Sequence, residues 1–121
     1  MARKNTGRIQ TKYIEAGVNG GMELKIVEEN GIVTFFVEGQ LDTTTFSDFE
    51  EALKPYLTDQ VKLVLDFEDL EYLSSAGLRV ILRAQQRIEE LNNASMVIRN
   101  CNEEVMEVFE ITGFADIIAF E

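Results

Sequence analysis

From Met22 onward the apolar positions recur with two different periods. Leu24 and Ile26 alternate with polar neighbours as far as Glu28, and residues 32–37 (IVTFFV) form a β-branched and aromatic run. Asn30-Gly31 between them is the two-residue signal for a hairpin, so two antiparallel strands open the domain. Phe46, Phe49, Leu53 and Tyr56 then fall on one face at helical spacing. The threonines at 43–45 offer an N-cap, and Thr45 with Asp48 approximates a capping box. Pro55 has no backbone N–H, which places the end of this helix near 55–58.

Residues 61–65 (VKLVL) are the short, nearly continuous apolar run of a strand covered on both faces. Residues 66–73 read as a loop. A second helix runs from Ser74 or Ser75 to about Asn92, with Gly77, Ile81, Ala84, Ile88 and Leu91 on one stripe and Arg79, Arg83 and Arg87 on a solvent face. Residues 95–99 predict another strand. Asn102 caps a third helix through Val105, Met106 and Phe109, Gly113 stops it from the C′ position, and residues 115–120 supply a last strand. The order β-β-α-β-α-β-α-β predicts an α/β fold. An opening β-hairpin is followed by right-handed βα crossover units, building a mainly parallel mixed sheet of about five strands with helices packed on it. Ligands and partners of such sheets sit at the carboxyl ends of the strands, where Asp42 and the 66–77 segment both fall.

Residues 1–21 show neither period and end in Gly20-Gly21; they read as a leader outside the fold, a vector-derived arm or a native tail, ahead of a domain at 22–121. They lack the apolar core of a secretory signal, and no stretch approaches the length of a membrane span. The composition, 45% hydrophobic and 27% charged over 121 residues, is that of one globular domain large enough to bury a core without disulfides or a metal. One cysteine, Cys101, fits a reducing cytoplasm. The absence of histidine removes the commonest general base and metal ligand together. Residues 1–21 carry a net charge of +3, so residues 22–121 hold −14 of the −11 total. Such an acidic domain disfavours nucleic acid and anionic membranes as partners and suits a partner with a basic face.

Little in the chain points to catalysis. Neither a phosphate-binding Gly-x-x-x-x-Gly-Lys-Ser/Thr loop nor a dinucleotide fingerprint occurs. The carboxylates Asp66, Glu68, Asp69 and Glu71 lack the spacing of a calcium loop and read as a solvated segment. Asp66 at a strand end could suggest a phosphoryl-accepting aspartate, but no lysine follows Lys62 to complete such a site. No metal, cofactor or small-molecule substrate is expected.

The informative segment is 65–78, LDFEDLEYLSSAGL. Two serines meet at a helix N-terminus, where free N–H groups and the helix dipole tolerate a negative group. Capping occupies one of them: if Ser74 is the N-cap, the hydroxyl of Ser75 is left free. Gly77 in the first turn costs about 1 kcal/mol relative to alanine, so close packing on the sheet or close approach of a partner is needed to account for it.

Three segments in order, Val37-Glu38-Gly39-Gln40-Leu41-Asp42, the 65–78 stretch with its following Leu-Arg-Val-Ile-Leu helix, and Ile111-Thr112-Gly113-Phe114-Ala115-Asp116, resemble the STAS domain of bacterial anti-sigma factor antagonists across 22–121. The resemblance implies a phosphoacceptor at Ser75, with Ser74 the alternative, in a neighbourhood of Asp42, Ala76 and Gly77. It also implies a partner surface of Ser74, Ser75, Leu78, Arg79 and Arg83. The implied partner is an anti-sigma factor that is also a serine-protein kinase. The unmodified domain would bind it and release a sigma factor, and phosphorylation would switch binding off. Where the family usually has an acid this chain has Ser74, and Ala76 replaces a second hydroxyl. These departures keep open a second role, a STAS accessory subunit of a phospholipid-type transporter or another signalling complex without phosphorylation.

Overall fold

In the computed structural model, which describes residues 9–17 and 19–121, the hairpin at Asn30-Gly31 sets the register of the first half of the sheet. Both turn residues have positive φ, 55° and 80°, the type I′ geometry whose twist matches that of paired strands. It joins β2 (Met22–Glu29) to β3 (Ile32–Leu41) with Glu29 opposite Ile32 and Lys25 opposite Phe36. The chain then runs through α1 (Phe46–Leu53), β4 (Lys62–Asp66), β5 (Leu70–Leu73), α2 (Ser75–Glu90), β6 (Ser95–Arg99), α3 (Glu103–Thr112) and β7 (Ala119–Phe120). Strand β1 (Ile9–Ala16) precedes them, and the sheet order is β1-β2-β3-β4-β6-β7, with β5 paired to β3 alone. The β1–β2 and β2–β3 pairs are antiparallel and the remaining pairs parallel, as expected for a hairpin followed by crossovers.

Alternation along the strands gives the sheet two unlike faces. Leu24, Ile26, Phe35, Leu63, Leu65 and Ile98 project to one side and are buried with Phe49 and Leu53 of α1, Ile81, Ala84 and Ile88 of α2, and Val105 and Phe109 of α3. Phe35 is central, meeting the rings of Phe49 and Tyr56 edge-on at centroid distances of 6.2 and 5.6 Å. The helices lie on this side. The opposite face, bearing Lys25, Phe36, Glu38 and Val64, has no helix over it among the described residues.

Five expectations need correction. The segment 1–21 is not wholly outside the fold: Ile9–Ala16 pairs with β2 along its full length, and Ala16 is buried opposite Met22. Its residues are mostly exposed, so it lacks the apolar alternation that reveals a strand and is held by ladder hydrogen bonds. Residues 1–8 and 18 lie outside the described residues. The 66–73 loop contains β5, which exists because β3 changes partner. β3 pairs with β4 only as far as Phe36; residues 39–41 pair with β5, and at Gly39, φ 97°, that second pairing shifts register. A Cβ at Gly39 would collide with the carbonyl of Gly21, so the bulge requires glycine. Residues 115–120 are a short 3-10 turn (Phe114–Asp116) and a two-residue strand, not one strand. Thr45 forms no capping box; its buried hydroxyl donates to the Gln40 carbonyl at 2.9 Å and accepts from the Asp42 N–H at 2.9 Å, pinning the β3–α1 corner. The sheet accordingly has seven strands, not about five.

A one-residue slip in β3 would exchange the environments of Phe35 and Phe36. Phe35→Ala is expected to cost about 3–5 kcal/mol in denaturant unfolding. Phe36→Ala is expected to cost about 1 kcal/mol or less, since its ring is already partly in water.

Candidate functional site

The carboxyl ends of β3 and β5 converge on the first turn of α2. The Ser74 N–H donates to the Leu41 carbonyl at 2.9 Å, which fastens the start of the helix to the last residue of β3. Ser74 is the N-cap: it has extended backbone, and its hydroxyl accepts from the Gly77 N–H at 3.3 Å. Its own carbonyl receives the Leu78 N–H at 2.9 Å. Ser75 is the first helical residue. It is exposed, and among the described residues its hydroxyl has no hydrogen-bond partner. Of the two serines, one is committed to the fold and the other faces solvent at the positive end of a 16-residue helix.

Gly77 is explained by packing on the sheet. A Cβ there would stand 2.6 Å from Leu41 Cγ, 2.8 Å from the Leu41 carbonyl oxygen and 3.0 Å from Leu73 Cδ1. One of these neighbours is backbone and cannot swing aside. The missing side chain is what lets α2 start directly on β3 and β5.

Asp42 follows Leu41 and so lies at the same corner. Its carboxylate accepts from the Thr44 hydroxyl at 2.8 Å and the Thr44 N–H at 2.9 Å, an Asx turn. The Thr44 hydroxyl is the main reason that its carboxyl is held below the ordinary value of 3.8, against an opposing effect of burial. Thr44 and Thr45 were read from the sequence only as capping candidates. The overlooked signal was Asp42 itself, an acid two residues before a threonine, the pattern of a side chain that folds its own loop.

The expected partner surface is only partly assembled. Ser74, Ser75 and Arg79 reach the surface, whereas Leu78 does not: at 4% exposure it is part of the core, because it stands one turn from Ile81 on the buried stripe. Ala76 is buried as well. Arg83 is exposed but pairs with Glu50 of α1 at 2.7 Å, a link across 33 residues that helical periodicity cannot announce. Arg87 pairs with Glu90 at 3.2 Å. The arginine row is therefore less basic than its sequence, and Arg79 alone of the three has no ion pair among the described residues.

Asp66 is buried at 4% exposure and fully engaged. One carboxylate oxygen accepts from Arg99 Nε and Asn100 Nδ2, each at 3.0 Å, and the other accepts from the Glu68 N–H at 3.0 Å. Such a carboxylate ties the ends of β4 and β6 together. Cys101 is half-buried, and burial pushes its thiol up to about 11, which keeps it protonated at neutral pH. Among the described residues, no three His, Cys, Asp or Glu side chains are placed to hold a metal ion, and no helix is long and apolar enough to cross a membrane.

Residues 23–121 match the family model of the STAS domain. The chain is 30% identical over 87 residues to the anti-sigma-B factor antagonist of Listeria monocytogenes, covering 71% of this chain and 75% of that protein. Its fold is similar to that of an anti-sigma factor antagonist from Mycobacterium paratuberculosis, with a TM-score of 0.66 and 19% identity, over 94% of this chain and 86% of that one. It is similar also to the phosphorylated form of the Bacillus cell fate determinant SpoIIAA, with a TM-score of 0.61 and 17% identity, over 83% and 90% of the two chains.

Two outcomes test this geometry. Gly77→Ala is expected to destabilise the fold by about 1–3 kcal/mol, because the clash with the Leu41 carbonyl outweighs the better helix propensity of alanine. Thr44→Val should move the Asp42 carboxyl titration, followed by NMR, upward toward 3.8. The folded-state value is the lower one, so the carboxylate stabilises the fold above about pH 3.8. That contribution disappears as pH falls through the folded value, and in Thr44→Val it is smaller throughout.

Proposed function

The chain belongs to the STAS domain family, and on that premise we propose that it is a cytoplasmic anti-sigma factor antagonist switched by phosphorylation of Ser75. The unmodified domain docks the α2 N-terminus and the adjoining Asp42 corner on an anti-sigma factor, which then gives up its sigma factor. The observation that carries this reading is the division of labour between the serines. Ser74 Oγ is spent on capping, and the Ser75 hydroxyl is exposed and has no hydrogen-bond partner among the described residues. A serine kinase, here the anti-sigma factor itself, transfers a phosphoryl group from its nucleotide to Ser75 Oγ, and the serine proton is released.

The physics of the switch is local. A phosphate at this place adds about −1.5 to −2 charges to a helix N-terminus, which accommodates them in the free domain, so the fold is retained. In a complex the same charge, standing beside the Asp42 carboxylate, would have to be desolvated against the partner, and misplaced charge costs several kcal/mol. Arg79 is the cation available to a partner, since Arg83 is held by Glu50. No group on this chain has to act as a general base, which agrees with a function exercised by docking and not by catalysis. The Listeria monocytogenes protein to which the chain is 30% identical, an anti-sigma-B factor antagonist, supports the antagonist part of this reading.

The test is binding to the cognate anti-sigma factor by calorimetry, joined to phosphopeptide mass spectrometry of residues 62–79 from native cells. Ser75→Ala should bind as the unmodified protein does, and Ser75→Asp should bind at least about a hundredfold more weakly while melting at the same temperature. Arg79→Glu should weaken binding more than Arg83→Glu. Equal binding by Ser75→Ala and Ser75→Asp, or phosphate found on Ser74 in place of Ser75, would overturn the assignment.

A further inference from the structure

The helix-free face of the sheet carries a second surface that the Ser75 switch does not use. On it, cross-strand register places Tyr13, Lys25 and Phe36 in one row across β1, β2 and β3, and Glu15, Glu23 and Glu38 in the next. Tyr13 is 72% and Phe36 36% exposed, large values for rings in regular strands. With Glu68 and Asp69 of the β4–β5 loop these rows line an open hollow of about 660 Å³.

Two features of this hollow conflict with a role as mere solvated surface. Like charges directly opposite one another destabilise a sheet, and here three glutamates stand abreast on adjacent strands. None of them, nor Glu68 or Asp69, has an ion-pair partner among the described residues. Lys25 is the one cation in the lining, and its Nζ lies 5.7 Å from the Phe36 ring centroid, so the aromatic row already holds a cation against a ring. Tyr13 offers a second ring with no cation over it among the described residues. The size suits a few side chains.

We propose that this face docks a basic polypeptide segment of a partner protein, one in which arginine or lysine alternates with apolar side chains. The cations meet the Glu15–Glu23–Glu38 row and the Tyr13 ring, and the apolar side chains rest on Phe36. The surface is on the face of the sheet that bears no helix, so its occupancy is independent of the state of Ser75.

The probe is a synthetic peptide of alternating arginine and leucine, titrated at physiological salt into the full chain and followed by backbone amide shifts, with its glutamate–leucine counterpart as control. Saturable shifts are expected at 13–15, 23–25, 36–38 and 68–69. The Glu15→Gln/Glu23→Gln/Glu38→Gln variant should bind about tenfold more weakly, three partly exposed charge pairs having been lost. It should melt no lower than the parent, since repulsion has been relieved. Glu89→Gln/Glu107→Gln/Glu110→Gln, on α2 and α3, removes as much charge and should leave affinity within about a factor of two, because charges far from the contact are screened. Ser75→Asp should bind the peptide as the parent does. Shifts spread over the acidic surface, equal loss in the two triple variants, equal binding of the acidic peptide, or no binding would each overturn the proposal.

Discussion

Everything at the working end of this domain depends on how closely the first turn of α2 approaches the end of β3. The Ser74 N–H bonds the Leu41 carbonyl, and Gly77 presses on the same residue where any side chain would collide. That contact depends on β3 running past the end of β4 and pairing with β5, a pairing whose register shifts at Gly39. Once α2 is seated, Ser74 has no freedom but to cap it, and Ser75 is left at the surface. The exposed hydroxyl is thus a product of backbone geometry upstream.

Charge follows the same division between spent and available groups. Asp66 is buried but consumed by Arg99, Asn100 and the Glu68 N–H, and Arg83 by Glu50. Asp42 is held by Thr44 in a turn that keeps it ionised. The groups left over, Arg79 beside Ser75 and the glutamate row on the bare face, are where the domain can still gain by meeting another molecule. The two lie apart, one at the strand ends and one on the side of the sheet without helices. The domain in this way presents two separate surfaces of unlike chemistry.

How much of this is legible in the chain depends on the range over which each cause acts. The Asn30-Gly31 hairpin, the Asn102 and Ser74 caps, the Gly113 stop and the buried stripe of α2 are all local, and each stands where the residues place it. β5 is not legible because four residues with a weak pattern become a strand only by pairing with the part of β3 that extends beyond β4. β1 was missed because a mostly exposed edge strand carries no apolar alternation. The resemblance puts Leu78 on the partner surface, whereas its direction is set by the turn that starts at Ser74.

By itself the sequence determined the β2–β3 hairpin, the three helices and the strands β4 and β6 in their order, the −14 charge of residues 22–121 and the presence of a spare serine at a helix start, since each follows from composition or from contacts within a few residues. Only the tertiary structure decided which serine is spare, why residue 77 has no side chain, which arginine of α2 lacks an ion pair among the described residues and that three glutamates stand abreast. Those facts arise between residues far apart in the chain. Glu50 meets Arg83, Leu41 meets Gly77 and Glu15 meets Glu23 and, through it, Glu38, because the sheet register and the seating of α2 bring them together.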